Sequence, residues 1–171
     1  SNTNIFAPLT QASSEKYLYH WSMNMGGSGT SRRAGLHFFC DNPSLTNRGN
    51  SYFAWFRADN DKCQIYEVIN DTFYLMVDSP VVINTGTWYD CKVTYNPASG
   101  VIKEFLNNQL VSQWTDASPL TSGNSISLRT GNSNVLYNDL KVYRARTGNS
   151  VNISVGPAAT NDIRYQNPDP A

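Results

Sequence analysis

The sequence predicts an all-β protein built as a two-sheet antiparallel β-sandwich. Apolar and polar residues alternate in short segments such as 17–25 and 34–40, which is the period-2 pattern of half-buried strands. Clusters of turn-forming residues separate these segments at short intervals. No segment of useful length carries the apolar stripe of an amphipathic helix. Many short strands joined by turns are typical of antiparallel sandwiches.

The first half of the chain divides into strands at its turn-forming residues. Residues 1–16 are polar and include Pro8, so we expect them to be irregular. The glycine-rich turn at 26–29 ends the first strand, and it lacks the residue order of a phosphate-binding loop. The loop at 41–50 and the tight turn at Asn70-Asp71 end later strands. The predicted strands of this half are residues 17–25, 34–40, 51–57, 63–69, 72–77 and 81–83.

The second half contains two hairpins and a closing strand. The segment 96–100, Asn-Pro-Ala-Ser-Gly, predicts the first hairpin turn, and Asn107-Asn108 predicts the second. The segment 138–143, Asn-Asp-Leu-Lys-Val-Tyr, is interpreted as part of the closing strand. The predicted strands of this half are residues 88–96, 101–106, 109–115, 125–130 and 135–144.

The sandwich is predicted to occupy residues 1–146, and the composition changes after Arg146. Residues 147–171 contain one short apolar alternation and then an end rich in Pro and Asn. We expect this segment to be an edge strand or an inter-domain linker. A linker would make the chain one module of a larger protein with flanking domains.

The composition argues against some classes of partner. Lys plus Arg and Asp plus Glu each number 13, so the formal net charge is zero, and the basic surface that attracts nucleic acid is not expected. No run of about 18 apolar residues is present, so no segment is expected to span a membrane. Only 15% of residues are charged, while Asn, Ser, Thr, Gly and Tyr are plentiful. Such a hydrogen-bonding surface suits a secreted or cell-surface protein and contacts with sugars.

The three cysteines are interpreted as small buried hydrophobes. Cys40, Cys63 and Cys91 lie in strand-like segments without a Cys-x-x-Cys element, which argues against a zinc or redox site. Free cysteine is also among the most buried residue types. One disulfide, such as Cys40–Cys63, with a leftover thiol is the alternative.

Three motifs, in order, carry a resemblance to a known family. They are Trp88-Tyr89-Asp90-Cys91, the segment 100–111 that reads Gly-Val-Ile-Lys-Glu-Phe-Leu-Asn-Asn-Gln-Leu-Val, and the closing segment 138–143. Over roughly residues 15–146 the chain resembles the concanavalin A-like lectin/glucanase superfamily in its laminin-G-like form. The resemblance implies a two-sheet jelly roll that binds sugars on a curved face or at its rim. The chain departs from the family at Asn107-Asn108, where Asn-Gly or Asp-Gly is usual, although Asn tolerates positive φ.

The resemblance also implies a structural calcium ion. In the family an acidic residue on the closing strand can bind Ca²⁺ with backbone carbonyls, and Asp139 holds that position. Calcium takes about six to eight oxygen ligands, more than Asp139 and Asn138 alone can supply. The acidic loop Asp59-Asn60-Asp61 is the alternative, but it lacks the Gly and the distal Glu of an EF-hand loop.

The sequence predicts no catalytic residues. Glycoside hydrolysis uses two carboxylates about 5–9 Å apart, and glucanases of this superfamily place them in one Glu-x-Asp-x-x-Glu type strand. Glu67 and Asp71 have a different spacing, and Glu104 stands alone. His20 and His37 lie near no nucleophile motif, and a metal pair of these two histidines would require neighbouring strands.

The outward side of the strands within residues 34–66 is the predicted ligand-binding face. If Ala34, Leu36, Phe38 and Cys40 face the core, then His37 and Phe39 face outward. Sugars stack their C–H faces on aromatic rings, and guanidinium and amide groups bond to their hydroxyls. The residues predicted to contact a ligand are His37, Trp55, Arg57, Gln64 and Tyr66. The alternative is that the aromatic residues only line the inner faces of the sandwich.

These patterns together predict a non-catalytic carbohydrate-binding or adhesion module of a larger secreted or cell-surface protein. Its predicted partner is a glycan or polysaccharide. Two alternatives stay open, namely a divergent polysaccharide-degrading jelly-roll enzyme and a structural or protein-interaction spacer domain.

Overall fold

The computed structural model describes residues 2–146, 154–155 and 163–164. These residues form strands and no helix, which confirms the all-β prediction, and none of them belongs to a helix that could cross a membrane. The strands are β1 (Asn2–Ala12), β2 (Glu15–Gly26), β3 (Arg33–Cys40), β4 (Ser51–Arg57), β5 (Lys62–Ile69), β6 (Thr72–Pro80), β7 (Trp88–Asn96), β8 (Val101–Leu106), β9 (Gln109–Thr115), β10 (Ser122–Gly131), β11 (Asn134–Arg146), β12 (Ser154–Val155) and β13 (Ile163–Arg164).

Two antiparallel sheets form the sandwich. The six-stranded sheet has the order β1-β10-β3-β4-β5-β6, and the five-stranded sheet has the order β11-β2-β7-β8-β9. Strands β3 to β6 and β7 to β9 pair with their sequence neighbours, as the predicted hairpins require. Within the described parts of the chain, strands β12 and β13 pair only with each other. The rest of the predicted edge strand or linker at 147–171 lies outside the described residues.

Alternate side chains of the two sheets fill the core between them. Five alternate residues of β2, from Tyr17 to Met25, are buried, while the residues between them are at least partly exposed. Aromatic rings meet across the sheets, with centroids 5.0 Å apart for Tyr19 and Phe38 and 6.0 Å apart for Trp21 and Phe56. Ring pairs at these separations add to the free energy of burial.

The predicted two-residue hairpin turns are confirmed. Asn70 and Asp71 have φ angles of 49° and 63°, and Asn107 and Asn108 have φ angles of 51° and 66°. Positive φ at both central residues matches the right-handed twist of the flanking strands, and Asn and Asp tolerate it. The side chain of Asn107 also accepts a hydrogen bond from the Asp90 backbone N–H at 2.9 Å.

Two strand predictions are wrong. Residues 1–16 are not irregular, because β1 pairs with β10 along the edge of the six-stranded sheet. The sequence does not predict β1 because an edge strand can have a polar composition. Residues 81–83 are not a strand, since their backbone bonds to the β4–β5 turn: Val81 N–H donates to Asp61 O at 2.9 Å, and Ile83 N–H donates to Asp61 Oδ1 at 3.1 Å.

A bulge in β3 changes the predicted facing of its last residues. Ser127 of β10 pairs with His37, but Ser125 pairs with Cys40, so β3 carries one extra residue. Phe39 has a φ of 54° and turns inward against Tyr95, with ring centroids 4.8 Å apart. Phe39 therefore belongs to the core rather than the outward face. Cys40 lies on the same face of the sheet as its partner Ser125.

The three cysteines are all free and buried, which confirms the interpretation as small hydrophobes and excludes the Cys40–Cys63 disulfide in this structure. Burial raises the pKa of the Cys40 thiol to about 12. These thiols are therefore protonated and unreactive at neutral pH.

One carboxyl group lies inside the core. Glu104 of β8 is fully buried, and neither of its side-chain oxygens has a hydrogen-bond partner. Burial raises its pKa well above the ordinary value of 4.5, and the nearby Ser112 only partly opposes that shift. The shift favours the protonated, uncharged form of Glu104 in the folded protein.

Candidate functional site

A cavity of about 310 Å³ lies on the outward face of the six-stranded sheet. Its size is near the lower end of the range of small-molecule sites, about 300–1,000 Å³. We call it the arginine–aromatic cavity, because its walls are aromatic rings and guanidinium groups. The lining residues are Asn2, Arg33, Phe53, Trp55, Arg57, Tyr66, Phe73 and Arg129.

The register of β3, β4 and β5 aligns the cavity residues in rows. Trp55 lies between Gly35 and Gln64, and Phe53 lies between His37 and Tyr66. Because side chains alternate along a strand, these rows project from the same face. The structure thus brings three of the predicted contact residues to the cavity: Trp55, Arg57 and Tyr66. Gln64 lies on the same face but is buried and does not line the cavity, and it supports the Tyr66 hydroxyl.

Aromatic rings form the floor of the cavity. The centroid of Phe53 lies 4.4 Å from that of Trp55 and 5.6 Å from that of Phe73, while Tyr66 lies 5.4 Å from Phe73. Trp55 is 5% exposed, so a ligand would meet the edge of its indole rather than a free ring face. Gly35 makes this packing feasible, since a Cβ there would lie 2.8 Å from Cε3 of Trp55 and 2.0 Å from the Ala54 carbonyl oxygen.

Polar groups beside the rings are held in fixed orientations. Arg57 donates to Asp59 through Nε at 3.0 Å and through Nη2 at 2.6 Å, and these bonds lower the pKa of Asp59. The Tyr66 hydroxyl donates to Gln64 Oε1 at 3.0 Å, and Gln64 Nε2 donates to Asp78 Oδ1 at 2.9 Å. A ligand would meet preorganised polar groups rather than mobile side chains, which lowers the entropy cost of binding.

His37 lies beneath this face and not on it. Its ring is fully buried, stacks on Phe53 with centroids 3.9 Å apart, and has Nδ1 3.2 Å from Ser51 Oγ. Burial, together with the charges of Arg129 and Arg48, lowers its pKa well below the usual value, so the ring is neutral. Since no part of the ring is accessible, we correct the predicted role of His37 from ligand contact to support for Phe53.

Five residues of the cavity lining were not among the predicted contacts: Asn2, Arg33, Phe53, Phe73 and Arg129. The alternation Phe53-x-Trp55-x-Arg57 could have identified Phe53, because all three project from the same face of β4. Arg129 comes from β10, which is distant in sequence and adjacent to β3 only in the fold. No local pattern in the sequence reveals that pairing.

A larger depression of about 570 Å³ lies on the outward side of the five-stranded sheet. Its walls combine aliphatic and polar side chains with Lys16, Lys103 and Arg144. Tyr17 and Tyr95 contribute to it, but both are buried core residues. We favour the smaller cavity as the site because its aromatic and polar groups converge on one space.

The carboxyl groups considered for catalysis do not form a pair at the cavity. Burial, with a smaller contribution from Asp116, raises the pKa of Glu67. Asp71, in the β5–β6 turn, accepts hydrogen bonds from the Asn47 N–H at 2.7 Å and from the Gly49 N–H at 3.1 Å. Glu104 is buried between the sheets. None of the three lines the cavity.

The predicted calcium ligand, Asp139, has no cluster of acidic side chains around it among the described residues. Asp139 is exposed at a bulge of β11 and has a φ of 54°. Within the described part of the chain, no three His, Cys, Asp or Glu side chains come together as a metal-binding group. Backbone carbonyls would have to supply most of a set of about six to eight oxygen ligands, and the calcium ion that the resemblance implies stays a prediction.

The two histidines do not form the metal pair considered from the sequence. His20 belongs to β2 of the five-stranded sheet, and His37 belongs to β3 of the six-stranded sheet. On its own sheet His20 is hydrogen-bonded to Asp90, which also accepts a bond from Lys92 Nζ at 2.5 Å. His20 is thus part of a surface ion-pair group.

Solved structures share this fold at low sequence identity. A carbohydrate-binding module, CBM66, from Bacillus subtilis is 16% identical with a TM-score of 0.70, covering 82% of this chain and 81% of that chain. The galectin LEC-6 of Caenorhabditis elegans is 13% identical with a TM-score of 0.60, covering 81% of this chain and 91% of that chain. A putative glycosyl hydrolase from Parabacteroides distasonis is 14% identical with a TM-score of 0.59, covering 84% of this chain and 83% of that chain.

No protein-family model matches the chain, and no curated protein matches it either. The similarities therefore concern the fold. This chain is a galectin-like, two-sheet β-sandwich, which agrees with the predicted two-sheet architecture. The laminin-G-like form of the concanavalin A-like superfamily stays a prediction.

Proposed function

We propose that the chain is a non-catalytic carbohydrate-binding or adhesion module that holds its glycan in the arginine–aromatic cavity. One observation carries the proposal: an aromatic floor stands beside polar groups that are already fixed by hydrogen bonds. The floor is Phe53, Trp55 and Phe73, and the polar groups are the Arg57 guanidinium and the Tyr66 hydroxyl.

This arrangement matches the chemistry of a sugar ring. A sugar offers apolar C–H groups, which gain from contact with the indole edge of Trp55 and with Tyr66. Its hydroxyl groups both donate and accept hydrogen bonds, so they suit the guanidinium of Arg57 and the hydroxyl of Tyr66. Since these polar groups keep one orientation, they can discriminate between sugars by the positions of the hydroxyls.

The structural neighbours support the proposal without establishing it. One is named a carbohydrate-binding module and another a galectin. We further propose that the chain acts at a cell surface or outside the cell, as part of a larger protein. The hydrogen-bonding composition and the expected linker at 147–171 support that setting.

A glycan array followed by calorimetry tests the proposal. We expect the wild-type chain to bind at least one glycan, and Gln64→Ala to weaken that binding at least about 10-fold, because Tyr66 and Asp78 lose their shared partner. Gln113→Ala is the matched control, since Gln113 is exposed on the five-stranded sheet. If the wild type binds no glycan, or both variants weaken binding equally, the proposal fails and a spacer domain becomes the better interpretation.

The enzyme alternative rests on the raised pKa of Glu67 and on the neighbour named a putative glycosyl hydrolase. A carboxyl group with a raised pKa can act as a general acid. Release of reducing sugar from a panel of polysaccharides, abolished by Glu67→Gln, would support that alternative. We expect no release from any member of the panel.

A further inference from the structure

We propose that the ligand of the arginine–aromatic cavity is an acidic saccharide whose carboxylate or sulfate group binds between Arg33 and Arg129. This inference rests on the proposed function and names the class of glycan for the same site. The observation behind it is a set of guanidinium groups at one cavity without a matching set of carboxylates.

Within the described residues, no carboxylate lies within ion-pair distance of Arg33, Arg48 or Arg129. Arg57 differs, because Asp59 balances its charge through two hydrogen bonds. Asp71 acts on Arg129, and Asp59 acts on Arg33, only from beyond that distance. The cavity therefore holds two guanidinium groups that no described carboxylate pairs with directly, although the chain as a whole has a formal net charge of zero.

Arg129 is a buried cation held by neutral groups. It is 6% exposed, and its Nη1 donates to Asn47 Oδ1 at 3.0 Å. Its guanidinium carbon lies 5.2 Å from the ring centroid of Phe73 and 6.0 Å from that of Phe53. Burial and the charges of Arg48 and Arg33 lower its pKa. An anion in the cavity would remove this electrostatic penalty, because a desolvated charge is costly unless it is paired.

Arg33 lies on the other side of the same space. Its guanidinium carbon is 5.9 Å from the ring centroid of Trp55, and its Nε is buried without a hydrogen-bond partner among the residues that the structure describes. Gly131 makes room for this side chain, since a Cβ at that position would lie 2.6 Å from Arg33 Nε. The unpartnered Nε is a donor that an acceptor on the ligand could satisfy.

The strand register brings the two arginines to one anion site. Arg129 pairs with Gly35 and Arg33 pairs with Gly131, so the two side chains occupy diagonal positions on neighbouring strands. Planar guanidinium groups bind carboxylate and sulfate oxygens through paired hydrogen bonds, and such charge-assisted bonds are about twice as strong as neutral ones. The sugar ring that carries the anion would then lie toward Trp55 and Gln64.

Matched neutral and acidic polymers test the inference with the wild-type chain. The first pair is polygalacturonate and its fully methyl-esterified form, which differ only in the carboxylate charge. The second pair is dextran sulfate and dextran, and the two pairs distinguish a carboxylate from a sulfate. We expect at least one acidic member to bind about 10-fold or more tightly than its neutral partner.

The alternative outcomes separate this inference from the proposed function. Neutral glycans binding as tightly as their acidic partners would overturn the acidic ligand and keep the carbohydrate-binding module. No binding to any glycan would overturn both. Equally tight binding of a single-stranded oligonucleotide of matched charge would show general polyanion binding and overturn the inference.

Variants of Arg33 locate the anion. We expect Arg33→Gln to bring the ratio of acidic to neutral affinity to within about twofold of one. Arg33→Lys should keep part of this ratio, because lysine keeps the positive charge but lacks the planar guanidinium that donates paired hydrogen bonds. Lys103→Gln, on the outward side of the five-stranded sheet, makes the same change of charge and should leave the ratio intact. If Lys103→Gln lowers the ratio as much as Arg33→Gln does, the anion does not bind at the cavity.

Discussion

The outward faces of the two sheets balance their charges in different ways. On the five-stranded sheet, Asp90 accepts hydrogen bonds from both Lys92 and His20, and the charge of Lys92 balances that of Asp90 at the surface. On the six-stranded sheet, Arg33 and Arg129 lie over aromatic rings without an ion-pair partner among the described residues. One face is a solvated ion-pair surface, and the other is an unneutralised cavity.

The difference comes from missing side chains as much as from charged ones. Gly35 and Gly131 stand at outward positions of β3 and β10, where any Cβ would collide with Trp55, Arg33 or the backbone. The corresponding outward positions of β2 and β7 carry side chains such as Ser22 and Thr94. A sheet gains a concave site where glycine leaves space and large residues surround it.

Tryptophan substitutions should give the largest contrast between the faces. Trp55→Ala should lower the free energy of unfolding by about 3–5 kcal/mol, because it empties a packed aromatic floor. Trp88→Ala should cost less than about 1 kcal/mol, since Trp88 is 51% exposed at the start of β7. Urea denaturation of both variants measures the contrast, and equal losses would mean that Trp55 is not part of a packed cluster.

The inner faces differ as well, because the buried carboxyl group belongs to the five-stranded sheet. The pKa of Glu104 is raised in the folded protein, so the folded state binds more protons above pH 4.5 than the unfolded state does. Stability should therefore fall as pH rises from about 4.5 toward the folded pKa. Glu104→Met should remove this dependence and raise the free energy of unfolding by about 1–3 kcal/mol, because it removes unpaired polar atoms from the core.

Unfolding of wild type and variant at several pH values between 4 and 8 measures this difference. Glu104→Gln is the control, since it does not titrate and should also show the flatter pH profile. A wild-type profile no steeper than that of Glu104→Gln would mean that Glu104 is ionised in the folded protein.

Removal of one carboxylate from each face should give a smaller contrast. Asp59→Asn should cost about 1–2 kcal/mol, because the less exposed Arg57 loses two charge-assisted bonds. Asp90→Asn should cost about 0.5 kcal/mol or less, as expected for an ion pair at the surface.

The pH dependence of stability in the same variants tests whether Arg57 lowers the pKa of Asp59. The folded pKa of Asp59 is lowered by Arg57, so its contribution is present above pH 3.8 and is lost as pH falls through the folded pKa. Melting curves of wild type and Asp59→Asn should thus converge in strong acid. Convergence only at high pH would contradict the assignment.

Chelation should give the smallest effect. Asp139 lies exposed on β11 with no metal-binding group among the described residues, so EDTA should shift the melting temperature by less than about 1 °C. Added Ca²⁺ should have an equally small effect. A decrease of several degrees with EDTA, reversed by Ca²⁺, would restore the calcium site that the family resemblance implies.

The sequence predicts most of this fold because most strands and turns follow from local patterns of residues. The alternation in residues 17–25 and the turns at Asn70-Asp71 and Asn107-Asn108 fix strands and hairpins that the structure confirms. β1 is not predicted because an edge strand can be polar. The orientation of the Phe39 side chain is predicted wrongly because a bulge interrupts the alternation of side chains along β3.

The candidate site is predictable only where it is local. Trp55 and Arg57 share a strand, and Gln64 and Tyr66 follow on the next, so alternation alone places them together. Arg129 joins them through the pairing of β10 with β3, which links residues far apart in the chain. His37 is misjudged because alternation gives the side of the sheet and not the depth of burial.

The bulge at Phe39 divides β3 into two segments with different structural roles. Before it, Arg33 and Gly35 shape the cavity, and after it Phe39 anchors the core. Changes at 33, 57 and 64 therefore alter the recognition surface while the packing between the sheets stays as it is. The sandwich can serve as a scaffold for new specificities, and a library that varies these positions and spares 38–40 should yield mostly folded proteins.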